Sequence, residues 1–413
     1  MMNTVVIISG ESSGELYGSL LAKAMKKKHP NIRIMGVGGK RMREAGVEII
    51  SNISDAFGLV EALSAYRKIK NAFQHSVKTL KECKPEVLVL IDYPDFNLKL
   101  AKVAKELGIK ILYYVSPQVW AWRKGRVRKI ASLVDRMAVI LPFEEKIYRD
   151  AGLPCEFVGH PILEEIDSTL ETINTRQHAA GENQALFGVS QIMHDLEVRK
   201  HLKASLGIDP NKSLLSLLPG SRPHEMKRLF PLMLNLVRQL KKDPEIQLER
   251  DYQICIPLAP NTDEEKYHLS LNALKNEGAR IKKGESVKIL AASDLAVVAS
   301  GTATLQTAFL GIPMVVVYRL SPTTFFLGKR IVKVKHISLV NILAGKEVVR
   351  ELLQKEANPG EVIKELKKII FDQNYREKMI NAYRFIREPF TGKRASERVA
   401  EMVIEIAGWK VKS

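Results

Sequence analysis

Cysteine is scarce: Cys83, Cys155 and Cys255 are the three in 413 residues, and they lie far apart. That spacing excludes a disulfide framework and fits a reducing compartment. None stands with histidine at zinc-ligand spacing, so no structural metal is expected. Long apolar runs are also missing: no stretch reaches the roughly 18 residues that a membrane-spanning helix needs. Aromatic residues make up 7% of the chain, and no basic stretch interleaves them as a nucleic-acid-binding motif would. Nucleic acid is therefore not an expected partner. An apolar stretch, Thr4 to Ser9, comes almost at once, and we expect no secretory signal ahead of the fold. Acidic residues are outnumbered, 46 against 64 Lys and Arg, for a net charge of +18. Such an excess suits an anionic membrane face or polyanionic small substrates, although much of it is a lysine bias on outer helix faces.

What is present is alternation. Apolar strand-like runs at Thr4–Ser9, Ile32–Val37, Glu86–Ile91, Lys110–Val115, Val134–Ile140 and Glu156–Val158 are separated by helical patterns. After a polar stretch at 168–203 the alternation restarts, with strands expected at Leu214–Leu218, Gln253–Pro257, Arg280–Lys282, Leu295–Ala299 and Met314–Tyr318. This is the signature of α/β architecture with parallel, doubly wound sheets. The expected division is a first Rossmann-like domain at 1–165, a linker or insertion at 166–205 and a second Rossmann-like domain at 206–389. A last helix, within 390–413, is long enough to cross back to the first domain. Ligands would then lie in the cleft between the halves, at the C-terminal ends of strands.

Six stretches carry chemistry. In Val297 to Gln306 a buried strand runs into Ser300-Gly301-Thr302-Ala303-Thr304, small and hydroxyl residues that open a helix. Such a junction points backbone N–H groups outward and suits an anion, most often phosphate; an ordinary N-cap is the bland alternative. Leu218-Pro219-Gly220-Ser221-Arg222-Pro223 opens the second half, with Ser221 read as N-cap and Arg222 held beside the helix start to favour a diphosphate. Ser9-Gly10-Glu11-Ser12-Ser13-Gly14-Glu15 opens the first. There Ser12 and Glu15 fit a capping box, whereas Glu11 has no capping role and is the better functional carboxylate. In Ile91-Asp92-Tyr93-Pro94-Asp95-Phe96-Asn97, Asp95 reads as an N-cap. Asp92 ends an apolar strand, where a general base would sit. Tyr114 to Arg123, with Trp120 and Trp122, could hold a sugar ring and a phosphate or be a packed loop. Asn341 lies in an apolar run, as a buried amide needing partners or as an internal turn. Gly58 to Phe73 reads as an amphipathic helix facing the core, with a membrane-surface helix as second reading.

Taken together, Gly10-Glu11-Ser12-Ser13-Gly14, Ile91 to Asn97, Val115 to Trp122, Leu218 to Arg222, Ser300 to Leu305 and Asn341-Ile342-Leu343-Ala344-Gly345 resemble the lipid-A-disaccharide synthase family, in that family's order and over most of the chain except 165–205. The resemblance implies a GT-B glycosyltransferase that joins UDP-2,3-diacylglucosamine to 2,3-diacylglucosamine 1-phosphate by a β-1,6 bond, with release of UDP. It implies UDP contacts from Ser221, Arg222, Ser300, Gly301, Thr302, Thr304, Gln306 and Asn341. It implies catalysis by Asp92 with Glu11, and an acceptor side that includes Ser13 and Trp120. No metal or cofactor is implied. The implied location is the cytoplasmic face of the inner membrane of a Gram-negative-type bacterium, held peripherally on anionic lipid; a homodimer is left open. Two departures stand out. Gln306 occupies a position where the family commonly has Glu, and Glu15 one where it often has Asp. A UDP-sugar 2-epimerase of similar fold and a non-catalytic UDP- or lipid-binding protein are the alternatives.

Overall fold

The computed structural model describes residues 3–52, 62–122, 125–179, 196–249, 251–321 and 335–409. Two compact units divide the chain: Met1–Pro161 with Phe390–Ser413, and Ile162–Pro389.

The first unit holds one parallel sheet: β1 (Thr4–Ser9), β2 (Arg33–Val37), β3 (Glu48–Ser51), β4 (Val87–Ile91), β5 (Lys110–Tyr114), β6 (Arg136–Val139) and β7 (Cys155–Phe157). Its order is β3-β2-β1-β4-β5-β6-β7. The central strands β1 and β4 are buried at every residue. A sheet covered on both faces demands such unbroken apolar runs, which is why these strands were legible. The edge strand β3, Glu-Ile-Ile-Ser, is partly exposed and mixed, and the sequence pattern gives no strand there. Helices α1 (Ser12–Lys28), α2 (Lys40–Glu44), α3 (Ala62–Cys83), α4 (Pro94–Glu106), α5 (Val119–Trp122), α6 (Arg126–Leu133) and α7 (Glu144–Arg149) connect the strands.

The second unit begins within α8 (Pro161–Ala179) and continues with α9 (Leu196–Ser205). Its sheet comprises β8 (Ser213–Leu218), β9 (Tyr252–Leu258), β10 (Arg280–Lys283), β11 (Leu295–Ala299), β12 (Met314–Tyr318) and β13 (Glu351–Leu353), in the order β10-β9-β8-β11-β12-β13. Its helices are α10 (Pro223–Leu240), α11 (Pro244–Glu249), α12 (His268–Asn276), α13 (Ser286–Ala292), α14 (Thr302–Phe309), α15 (Leu339–Ala344), α16 (Pro359–Phe371) and α17 (Gln373–Arg387). A buried ion pair ties α9 to this sheet: Lys203 Nζ lies 2.7 Å from Asp294 Oδ2, and the Leu214 N–H donates to the same oxygen at 2.8 Å. The polar stretch read as linker and insertion thus contains the end of α8 and most of α9, with 180–195 outside the described residues.

The last helix, α18 (Ala395–Ala407), belongs to the first unit and packs on α1. Arg398 grips Glu156 through two bonds, at 2.6 and 2.8 Å, and Lys28 pairs with Glu401 at 2.8 Å.

Both sheets are doubly wound. In each, the chain works outward to one side, returns to the centre and works outward to the other side. The reversal falls between β1 and β4 in one unit and between β8 and β11 in the other. At such a switch point neighbouring connections diverge to opposite faces. The crevice they leave, at the C-terminal strand ends, is where open α/β sheets bind ligands.

Candidate functional site

At the first switch point the loops after β1 and β4 meet. Gly10 lies so close to the Tyr93 ring that a Cβ on it would sit 2.6 Å from Tyr93 Cγ. Glu11 occupies the N-cap position of α1 but its carboxylate does not cap the helix. Its negative charge helps to raise the Tyr93 hydroxyl above its usual range, after burial. Ser13 follows within the first turn of α1, half-buried. The capping-box reading of Ser12 and Glu15 needs correction. Glu15 is buried and its carboxylate accepts from the Arg41 N–H at 2.8 Å, so it caps α2 rather than its own helix.

Asp92 sits immediately after β4 with φ of 48°, and Tyr93 follows at 44°. Left-handed backbone is tolerable for Asp but costly for Tyr, so something must hold it. Two side chains do. Tyr113 Oη and Asn97 Nδ2 both donate to the Asp92 carbonyl, each at 2.6 Å, while the Asp92 N–H bonds across to β5 at Tyr114 and Val115. Asp95 is not the N-cap: α4 starts at Pro94, Tyr93 precedes it as the cap residue, and Asp95 instead pairs with Arg126 at 2.9 Å.

The loop after β5 bends at Val115, φ 64°, an unusual conformation for a β-branched residue. Ser116 is buried beyond it, and half-buried Trp120 lies on the short α5. The Trp122 side chain, residues 123–124 and 58–61, and the side chains of 62–66 lie outside the described residues. The rest of the 58–73 stretch belongs to α3, where Ile69 and Phe73 pack on the core and Arg67, Lys68 and Lys70 are exposed. Trp120 and Ser116 converge on a residue that the sequence did not single out. Glu144, at the start of α7, accepts at one carboxylate oxygen from Ser116 Oγ (2.7 Å) and Trp120 Nε1 (2.9 Å). Burial raises its carboxyl to about 7, against the pull of those hydrogen bonds. The legible signal was a carboxylate opening a helix directly after a parallel strand.

The second switch point gathers different chemistry. After β8, Gly220 turns with φ of 89°, and a Cβ there would lie 2.3 Å from the Glu225 carboxylate. The helix cap is Arg222, not Ser221. Its N–H donates to the buried Glu225 at 3.3 Å, and its guanidinium stands 3.6 Å from the same group while nearly half exposed. Ser221 is exposed one residue earlier. After β11, the adjacent strand, Ser300 donates its hydroxyl to the Ile337 carbonyl at 3.1 Å. Exposed Gly301 is the cap of α14, with no side-chain cap on the helix; Thr302 and Ala303 open its first turn. An N-terminus without a side-chain cap leaves first-turn N–H groups for an anion. Thr304 is fully buried, its hydroxyl turned back to the Gly301 carbonyl at 2.7 Å.

Two further sequence-selected side chains, besides Ser300, Thr304 and Trp120, are engaged within the fold. Gln306 is nearly buried, and its Nε2 donates to Glu165 of α8 at 3.0 Å. Asn341 is fully buried and uses all four of its hydrogen-bonding positions. Its Nδ2 donates to the Val349 carbonyl and Glu351 (both 2.8 Å), and its Oδ1 accepts from the Val348 and Val349 N–H groups (2.7 and 3.0 Å). The buried-amide reading is the one the structure takes. Among the described residues no cluster of His, Cys, Asp and Glu is arranged to hold a metal ion, and no helix is long and apolar enough to cross a membrane.

Comparison with known proteins follows the same lines. A family model described as lipid-A-disaccharide synthetase matches residues 5–190 and 188–403. The chain is 39% identical over 404 residues to a lipid-A-disaccharide synthase of Syntrophus aciditrophicus, covering 97% of each chain. It is 37% identical over 409 residues to one of Geobacter sulfurreducens, covering 98% of each. Among solved structures, a UDP-GlcNAc 2-epimerase from Neisseria meningitidis superposes with a TM-score of 0.65 at 13% identity, over 98% of this chain and 100% of that one. MurG of Acinetobacter baumannii does so at 0.51 and 13%, over 98% and 99%. At such identities these two likenesses speak for the fold alone, two Rossmann-like parallel-sheet units of the GT-B class.

Proposed function

Because the chain belongs to the lipid-A-disaccharide synthase family, the glycosyltransferases that make the lipid A disaccharide, we propose that it joins UDP-2,3-diacylglucosamine to 2,3-diacylglucosamine 1-phosphate and releases UDP. The observation that carries the division of labour is the contrast between the two switch points. One presents the carboxylates Glu11 and Asp92; the other presents a helix start without a side-chain cap, a half-exposed arginine and small residues.

The donor's diphosphate binds the second unit, at the starts of α10 and α14. The N–H groups of Gly301 to Ala303 and the Arg222 guanidinium meet the charge that grows on the leaving UDP. Ser221 and Ser300 line this site. Gln306 contacts the ribose while it stays bonded to Glu165. Thr304 and Asn341, whose polar groups are taken, shape the site without touching the nucleotide. The acceptor binds the first unit beside Ser13 and Trp120. Asp92 removes the proton from its 6-hydroxyl as that oxygen attacks the donor's anomeric carbon. The new O–C bond forms, the bond to the diphosphate breaks, and its electron pair leaves with UDP. A single displacement inverts an α-linked donor to a β-1,6 product, with one base and no covalent intermediate. Glu11 orients the acceptor next to Asp92.

The protein works peripherally on the cytoplasmic face of the inner membrane. The net charge of +18, the exposed basic residues Arg128 and Lys129 of α6 and the solvent-facing ring of Phe143 against Trp120 support that placement. One assay tests the whole reading. The protein is incubated with UDP-2,3-diacylglucosamine, with and without the acceptor, and UDP and disaccharide are measured. Acceptor-dependent release of both is expected. UDP release that ignores the acceptor, or epimerised donor, would sink it.

A further inference from the structure

The chemistry proposed above does not use Glu144, yet this carboxylate is the hub of the loops beside Asp92. It is 2% exposed, on the first residue of α7. Oε1 takes the Ser116 and Trp120 donors from the loop after β5, and the Leu141 N–H, at the end of the β6 connection, points at Oε2 from 3.3 Å. One side chain thus fastens two neighbouring connections at the C-terminal edge of the first sheet. The adjoining Phe143 ring meets the Trp120 indole edge-on, with centroids 5.2 Å apart, so the indole is held on two sides by consecutive residues. A buried carboxylate is costly unless its partners are fully used. A serine, an indole and a backbone amide provide those partners where Glu144 opens α7.

We propose that Glu144 is a positioning residue, which holds Ser116 and Trp120 in the arrangement that the acceptor requires. The proposal rests on the acceptor binding beside Asp92. The ionised carboxylate accepts from all three donors. Protonated, it carries an O–H on the oxygen that faces the Leu141 N–H, donor against donor, and the fastening between the two loops slackens. Burial and the negative charge of Asp92 both favour the protonated form, and the change falls near pH 7. The other titratable groups that face it, Tyr148 on its own helix and Cys155 on β7, are held protonated far above neutrality by burial. Rising pH therefore tightens the Trp120 loop. Acceptor use should improve across neutrality while donor binding on the second unit stays level.

Glu144→Gln is the direct test, since its amide resembles the protonated acid at every pH. With Trp409 replaced by Phe, which removes the indole that lies against His29, tryptophan emission without substrates should titrate with a midpoint near 7; with E144Q added it should be flat. At alkaline pH the acceptor KM of E144Q should rise about tenfold, the effect of losing one charge-assisted hydrogen bond, with the donor KM unchanged. An unaltered titration in E144Q, or an acceptor KM equal to wild type at alkaline pH, overturns the proposal. Should E144Q fail to fold, Trp120→Phe carries the emission test: loss of the titration supports it and persistence overturns it. The emission measurement involves no turnover, so it stands or falls independently of whether Asp92 is the base.

Discussion

Gln306 donates its side-chain amide to the Glu165 carboxylate, Nε2 to Oε2, at 3.0 Å. The pair sits where α14 meets α8, with Gln306 almost wholly buried. An amide at position 306 is therefore matched to a carboxylate at 165. A glutamate at 306 would set two carboxylates against each other.

Gln306→Glu should accordingly weaken UDP binding and cost about 2 kcal/mol of stability at pH 8, because Glu165 loses a donor and gains a like charge. One carboxyl of the new pair would hold its proton, so its folded value is raised. The lost stability should return as pH falls below that value. Adding Glu165→Gln should restore both properties at pH 8. Chemical unfolding and UDP titration of the three variants check this, and an unchanged affinity in Q306E removes residue 306 from the nucleotide site.

Asp92→Asn keeps the shape and the backbone clamp from Tyr113 and Asn97 but cannot take a proton. Turnover should fall by about 10²–10⁴-fold while UDP affinity stays nearly level. A loss of affinity that tracks the loss of rate would count against Asp92 as the base.

Arg222→Ala removes a half-exposed guanidinium beside the α10 start but leaves the Arg222 backbone bond to Glu225. UDP affinity should drop about tenfold with little change in melting temperature. Calorimetric titration with UDP decides, and equal affinity would take Arg222 out of the diphosphate site.

Lys203→Met leaves Asp294 buried, with Arg199, 3.9 Å away, as the remaining cation of the pair that faced it. Removing one partner of a buried ion pair costs about 3–5 kcal/mol. Urea unfolding should show that loss. A loss below about 1 kcal/mol would mean that Arg199 moves in to replace the lysine.

His160 is buried between the Tyr17 and Phe390 rings, and burial lowers its imidazole to about 3. The folded protein therefore binds fewer protons than the unfolded chain below the ordinary histidine range. The stability that this neutral ring contributes is complete above about pH 6.5 and declines as pH falls, by about 2 kcal/mol at pH 5. In His160→Phe that part of the acid slope should vanish. Melting temperatures over the range test it, and parallel slopes in the two proteins refute it.

The strands were legible where burial on both faces forces unbroken apolar runs: β1, β11 and β12 were read to the residue. Strands β3 and β13, at sheet edges, were not: four and three residues led by a glutamate give a short apolar run, although the equally short edges β7 and β10 were read to within a residue. Caps shifted by a residue or more. Glu15 bonds across to α2, and Asp95 to Arg126, because a carboxylate near a helix start takes whichever donor the fold brings closest.

By itself, then, the sequence determined the alternation of strands and helices, the positions of the loops that follow the inner strands, and the residue types those loops carry. These are local properties, set by period, turn chemistry and composition. Only the tertiary structure decided which polar groups remain for a ligand. Asn341 is spent on residues 348–351, Gln306 on Glu165, and Trp120 on a carboxylate 24 positions away. Hydrogen-bond partners are chosen by distance in space, and a buried polar group accepts the nearest competent one whatever its place in the chain.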